Sequence, residues 1–201
     1  MSPVNSKILN QMLTSFHNKN FIEAGLDEAG RGCLAGPVVA SAVILPKYYE
    51  HTLLNDSKQL TKKQRETLRM DIVRDALAYE IAEVSNQEID EINILKASMK
   101  AMHMAVDKLM IRPEHLLIDG NHFPVYPFIP HTCFVKGDTK FLSIAAASIL
   151  AKTYRDDLME KLAEEYPVYG WEQNAGYPTL KHRNAIKEFG ITVHHRLSFR
   201  M

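Results

Sequence analysis

Phe21-Ile-Glu-Ala-Gly-Leu-Asp-Glu28, then Ala29-Gly-Arg-Gly-Cys-Leu-Ala-Gly36, then Pro37-Val-Val-Ala-Ser-Ala-Val-Ile-Leu45: this continuous stretch decides the fold. Its outer segments are rich in apolar and β-branched residues and flank a glycine-dense centre, which predicts two strands joined by a turn. Gly30-Arg-Gly-Cys-Leu-Ala35 also fits a dinucleotide-binding fingerprint. That device needs a helix whose N-terminus faces the pyrophosphate, and here a strand pattern follows instead.

Downstream, Thr61 and Gln64 stand in capping-box spacing ahead of a helical pattern that runs to Leu77. Ala78–Val84 reads as a strand. Asn93–Met110 reads as a helix with Leu95, Met99, Met102, Val106 and Leu109 as its apolar stripe, ended by Pro113. His115–Ile118 is a short strand that stops on Asp119-Gly120. A Pro-rich connection leads to a strand at Thr132–Val135 and an Ala-rich helix over Leu142–Glu165. Asn174–Thr179 reads as a loop, and a last helix, Leu180–Phe189, stops at Gly190. This order predicts an α/β fold with a partly antiparallel sheet. No linker interrupts it, so residues 1–20 read as a lead segment and 21–201 as one domain.

The 201 residues are 46% hydrophobic and 24% charged, which excludes a disordered, collagenous or disulfide-stapled chain. No apolar run approaches the roughly 20 residues of a membrane span, and the polar start lacks a secretory signal. Cys33 and Cys133 stand far apart, as in a reduced, cytoplasmic protein. Net charge is zero, but Ser57–Arg74 holds six basic residues against two acidic ones, and Ala175–Met201 five against one, with His182, His194 and His195 besides. Taken by themselves these patches read as solvated helix faces.

Carboxylates fall at element ends: Asp27-Glu28 closes the first strand, Asp119 closes the fourth, and Asp156 lies inside the long helix. Neighbouring strand residues face opposite ways, so Asp27 and Glu28 share a site only if the backbone bends at the following glycines. Turn chemistry accounts equally well for Asp-Glu or Asp-Gly before a glycine turn. Ser148, Lys152 and Asp156 form a polar stripe at four-residue spacing, which a surface ion pair also explains. A cluster of three or four carboxylates without cysteine or histidine at zinc spacing suits hard divalent cations and in-line phosphoryl displacement.

Gly25-Leu-Asp-Glu-Ala-Gly-Arg-Gly32, Gly36-Pro37, Asn55-Asp-Ser-Lys-Gln-Leu60, Glu88-Ile-Asp-Glu-Ile-Asn-Ile-Leu95, Ile118-Asp-Gly-Asn121, Val135-Lys-Gly-Asp138, Ala145-Ala-Ala-Ser-Ile-Leu-Ala-Lys152, Arg155-Asp156, Gly176-Tyr-Pro-Thr179 and His194-His-Arg196 resemble, in order, the motif series of the bacterial ribonuclease HII family. The resemblance implies an RNase H-like fold, a central mixed five-stranded sheet flanked by helices. It implies endonucleolytic cleavage of RNA in RNA–DNA hybrids and incision 5′ of ribonucleotides embedded in duplex DNA, leaving 5′-phosphate and 3′-hydroxyl ends. Asp27, Glu28, Asp119 and Asp156 would bind two Mn2+ or Mg2+ ions, with Asp27 bridging them. Gly30, Arg31 and Gly32 would sense the ribose 2′-hydroxyl, the group that separates RNA from DNA. Tyr177 would contact the ribonucleotide at the junction, although a Gly-Tyr-Pro turn also suits a half-buried aromatic. Ser57, Lys58, Lys152, Lys181, His182 and Arg196 would hold phosphates.

Ala175 stands where the family commonly has Lys, which puts one phosphate contact in doubt. The short ends leave no room for a C-terminal duplex-binding extension or for the N-terminal domain of the ribonuclease HIII branch, and Arg31 favours HII. A monomer without an obligate protein partner is expected. A DNA-cleaving resolvase or integrase of similar fold, and a binding module without catalysis, are the competing readings. The 2′-hydroxyl sensor speaks against the first and the complete carboxylate set against the second.

Overall fold

The computed structural model describes residues 13–54 and 60–200. Glu23–Ala29 (β1), Val38–Ile44 (β2), Ala78–Val84 (β3), His115–Asp119 (β4) and His131–Phe134 (β5) form one sheet in the order β3-β2-β1-β4-β5. The first three pair antiparallel, whereas β4 joins β1, and β5 joins β4, in parallel. This is the mixed five-stranded sheet that the motif series implies. Val38–Ile44 is buried along its whole length because helices cover both faces of the sheet.

Asn86–Ile92 (α2) and Ile94–Lys108 (α3) lie on one face, over Leu26, Ala40 and Ile118. Lys62–Asp75 (α1) and Leu142–Glu165 (α4) lie on the other, around Val43, Leu68, Ile72 and Ala146. Trp171–Asn174 (α5) and Leu180–Phe189 (α6) close a smaller cluster with Met159 and Tyr169. Thr61 and Gln64 form the expected capping box at the start of α1, and Gly190 ends α6 with φ 79°. The sequence reading missed α2. Its signal was present: the Ser85 hydroxyl accepts from the Glu88 amide, a Ser-x-x-Glu start.

The apolar stripe expected for α3 holds at Met102, Val106 and Leu109 and fails at its first member. Leu95 is exposed, and the buried face consists of Ala97, Ala101 and Ala105 with Met102 and Val106. Small residues let a helix approach a sheet closely, so the alanines turn inward beside Met102 and Val106, and Leu95 is left at the rim. Among the described residues no helix is long and apolar enough to cross a membrane, and both cysteines are free thiols.

Gly25 marks the tightest contact between layers. A Cβ built there would stand 2.2 Å from the Ser143 carbonyl carbon and 2.4 Å from the Ile144 nitrogen, both backbone atoms of α4. Neither can yield without moving the helix. Gly25→Ala is therefore expected to destabilise the protein by about 3 kcal/mol or more, measured as a lower urea midpoint; a midpoint unchanged within error would show that α4 moves freely on β1.

Candidate active site

β1 and β4 are parallel neighbours with Leu26 opposite Ile118, so the next residue on each strand, Asp27 and Asp119, emerges at the same end of the sheet. Asp27 shares the α4 face with Gly25, and the Ser148 hydroxyl of α4 hydrogen-bonds its carboxyl. The Glu28 amide also donates to Asp27 Oδ1 at 2.7 Å. Burial, then the charges of Glu28 and Asp119, push the Asp27 carboxyl well above the usual carboxylate range. Glu28 is held by Arg31, whose Nη1 donates to Oε1 at 3.0 Å. Asp119 Oδ1 accepts from the Gly137 amide at 2.7 Å. Lys152 Nζ donates to Asp156 Oδ1 at 2.6 Å, and Arg65 Nη2 stands 3.9 Å from Oδ2 of the same carboxylate.

Each acid thus has its own protein partner, and among the described residues no three histidine, cysteine or carboxylate side chains converge into a ready-made metal cage. The fit to a divalent ion lies in donor chemistry. All donors are hard oxygens, and the buried Asp27 carries a penalty from desolvation and from like charges that a cation would relieve. The polar stripe on α4 lies at this site, and it is not the lone exception on an apolar helix, since Thr153 and Arg155 are also buried.

Arg155 is a residue whose role the sequence reading missed. It is fully buried and donates from Nε to the Pro37 carbonyl at 3.0 Å, from Nη1 to Ala175 at 2.7 Å and from Nη2 to Ala35 at 2.9 Å. Its place four residues after Ala151 and four before Met159, on a buried apolar stripe, was the available signal. Gly30 (φ 95°) packs against this guanidinium, where a Cβ would meet Arg155 Nε at 2.1 Å. Gly32 is different, because a Cβ there would find nothing nearer than Tyr177 Cε1 at 4.0 Å. The glycine turn therefore has open space beside the Tyr177 ring. Tyr177 is partly exposed, its hydroxyl donates to the Cys33 thiol, and Lys152 Nζ lies 5.9 Å from its ring centroid.

Two of the expected phosphate ligands do not reach the surface. Arg196 is buried and donates to the carbonyls of Gly36, Arg31 and Pro37; desolvation lowers its pKa to about 10. His182 is buried among Trp171, His195 and the Tyr177 carbonyl. Direct phosphate contact by either has no geometry here, because their donors are spent on the protein's own backbone and rings. Lys181 is exposed beside Glu172. Ser57 and Lys58 lie outside the described residues. The first basic patch is largely neutralised: Lys62 pairs with Glu160, Arg69 with Asp157, and Arg74 with Asp71 and Asp75.

A family model described as Ribonuclease HII matches residues 24–201. A Ribonuclease HII of Bacteroides thetaiotaomicron is 65% identical over 190 residues, covering 94% of this chain and 95% of that protein. Among solved structures, the ribonuclease H2 of Pyrococcus horikoshii superposes with TM-score 0.74 at 28% identity, covering 89% and 93% of the two chains. The ribonuclease HII in a PCNA complex from Archaeoglobus fulgidus superposes with TM-score 0.75 at 27% identity, covering 90% and 96%.

Removing the strained charge has a defined sign. Asp27→Asn keeps an acceptor for the Glu28 amide and offers an N–H that the Ser148 hydroxyl can accept, but deletes a buried negative charge beside two others. Without divalent ion the variant should be more stable than the parent by about 1–2 kcal/mol, and it should lose most of any thermal stabilisation that added divalent ion confers on the parent. Thermal melts with and without ion check both parts, and a less stable apo variant would count against a charge penalty at Asp27.

The histidines set a pH dependence. Burial first, then His182 and His194, lower the His195 pKa to about 4, and burial lowers that of His182. Between about 4 and the unfolded value near 6.5, the unfolded chain binds protons that the folded one does not. Stability is therefore complete above about pH 6.5 and falls as pH drops towards 4, by up to about 3 kcal/mol for His195. Urea titrations across that window should show the slope, and His195→Gln should flatten it.

Proposed function

The chain belongs to the ribonuclease HII family, metal-dependent endonucleases that act on RNA–DNA hybrids, and from that premise we propose that Asp27, Glu28, Asp119 and Asp156 bind two divalent ions and that the site incises duplex DNA 5′ of an embedded ribonucleotide. The observation that carries this reading is the Leu26–Ile118 register, which brings carboxylates from two parallel strands to one sheet end, with Ser148 of α4 on Asp27.

Bound Mg2+ or Mn2+ supplies activation of the attacking water and stabilisation of the leaving oxygen in an in-line displacement. The chain's own residues do the rest. Ser148 and the Glu28 amide orient Asp27, the Gly137 amide orients Asp119, and Arg31 keeps Glu28 at the rim. Lys152 holds Asp156 and lies between the carboxylates and Tyr177, where its ammonium meets a substrate phosphate as a point charge. The backbone at Gly30, Arg31 and Gly32 approaches the ribose and reads its 2′-hydroxyl, and the missing side chain at Gly32 leaves the space beside it free. Tyr177 stacks on the sugar and base at the junction from the other side of the same space. Such contacts identify the ribose without reading sequence.

A labelled DNA duplex carrying one ribonucleotide, beside an all-DNA control, tests the proposal. A single cut 5′ of the ribonucleotide that leaves 5′-phosphate and 3′-hydroxyl ends, is absent from the control and is lost with chelator is the expected result; cleavage of the all-DNA duplex would sink it. Gly32→Val should fold with stability within about 0.5 kcal/mol of the parent, because the protein leaves room there, yet lose incision on the order of 100-fold. Unchanged incision by that variant would refute the sensor assignment.

A further inference from the structure

Three successive carbonyls position Tyr177, and each is bound by a different part of the fold. That of Ala175 accepts from Arg155 of α4, that of Gly176 from the Leu34 amide, and that of Tyr177 from His182 Nδ1 of α6 at 2.9 Å as well as from the Thr179 amide. The His182 ring continues inward. Its Nε2 faces Trp171 Nε1 at 3.0 Å and His195 Nε2 at 3.2 Å, and His195 Nδ1 faces the Thr192 amide at 2.9 Å.

The donors and acceptors leave one assignment. A carbonyl only accepts, so His182 Nδ1 carries the proton; an indole N–H only donates, so His182 Nε2 is bare. His195 Nδ1 must accept from the Thr192 amide, so its proton sits on Nε2 and points at His182. Both rings are neutral with opposite tautomers, and Trp171 and His195 share one lone pair. Trp171 and His195 are fully buried beside Tyr169 in the smaller cluster, whereas Tyr177 is at the surface beside the open space at Gly32.

We infer that His182, with its tautomer set by Trp171 and His195 so that Nδ1 carries the proton, is a positioning residue for specificity, whose Nδ1–H holds the Tyr177 carbonyl and so fixes the ring that contacts the ribonucleotide. The inference rests on Tyr177 being that contact. It assigns His182 a role in discrimination in place of the phosphate contact that its sequence position suggested.

Two substitutions separate the two ends of the imidazole. His182→Asn puts an amide N–H near Nδ1 and keeps the bond to Tyr177 while cutting the link to Trp171 and His195. His182→Gln puts an oxygen near Nε2, keeps the inner link and loses the bond to Tyr177. Initial rates on a duplex with one ribonucleotide and on a long RNA–DNA hybrid give a ratio for each variant. Relative to the parent, His182→Gln should lower the ratio on the order of tenfold and His182→Asn should change it by no more than about threefold, although both lose thermal stability. Equal ratios for the two variants would overturn the inference. Tyr177→Ala is the control: if it leaves the ratio unchanged, the reading of Tyr177 fails, whereas a changed ratio with silent His182 variants means that the linkage fails. Long-range 1H–15N NMR of the parent enzyme needs no variant to fold, and should show neutral His182 protonated on Nδ1 and neutral His195 protonated on Nε2. The reverse tautomer at His182 would equally overturn it.

Discussion

The absence of a side chain at Gly25 lets the first turns of α4 lie directly on β1, and the site depends on that contact. With α4 set so close, Ser148 reaches Asp27 two residues further along the same strand face, and Asp156 arrives two turns later on the helix. A looser contact would leave Asp27 facing a gap that water fills, and its carboxyl would lose both the Ser148 hydrogen bond and its desolvation. The site's electrostatic strain is thus a consequence of a packing distance.

A second layer of order comes from buried cations that face carbonyls. Arg155 and Arg196 each donate to three backbone oxygens and share the Pro37 carbonyl. Guanidinium is planar, weakly hydrated and rich in donors, so it can satisfy several carbonyls that a turn leaves without ladder partners. The glycine turn gains rigidity without regular secondary structure. Asp90 and Asn86 of α2 do the same for the C-terminal segment, accepting from the Leu197 and Ser198 amides and donating to the Val193 and His195 carbonyls, which in turn delivers Arg196 to the turn.

Much of this was legible in the chain. The strand–turn–strand stretch, the capping box at Thr61 and the stop at Gly190 are local signals, decided by neighbours within a few residues, and they appear where expected. The stripe of α3 was misread at Leu95, and small Ala97, Ala101 and Ala105 were left out of it, because a pattern that scores hydrophobicity ignores how near the sheet must come. Short α2 was passed over although Ser85 and Glu88 announced it. The basic run on α1 read as a free face because its partners, Asp157 and Glu160, are about ninety residues away on α4.

What the sequence by itself determined is the kind of chemistry: hard oxygen donors at strand ends, a glycine-rich turn between two strands, and the order of motifs that ties the chain to its family. Those depend on residue type and short-range spacing. Only the tertiary structure decided which polar residues face the substrate space and which face inward. Tyr177 borders the open space at Gly32 with Lys152 over its ring, while His182 and Arg196, which share a basic segment with Tyr177, turn into the core. A charge or an imidazole has no preferred side until long-range packing sets what lies opposite it, and here that is a set of carbonyls and rings up to 165 positions distant in the chain.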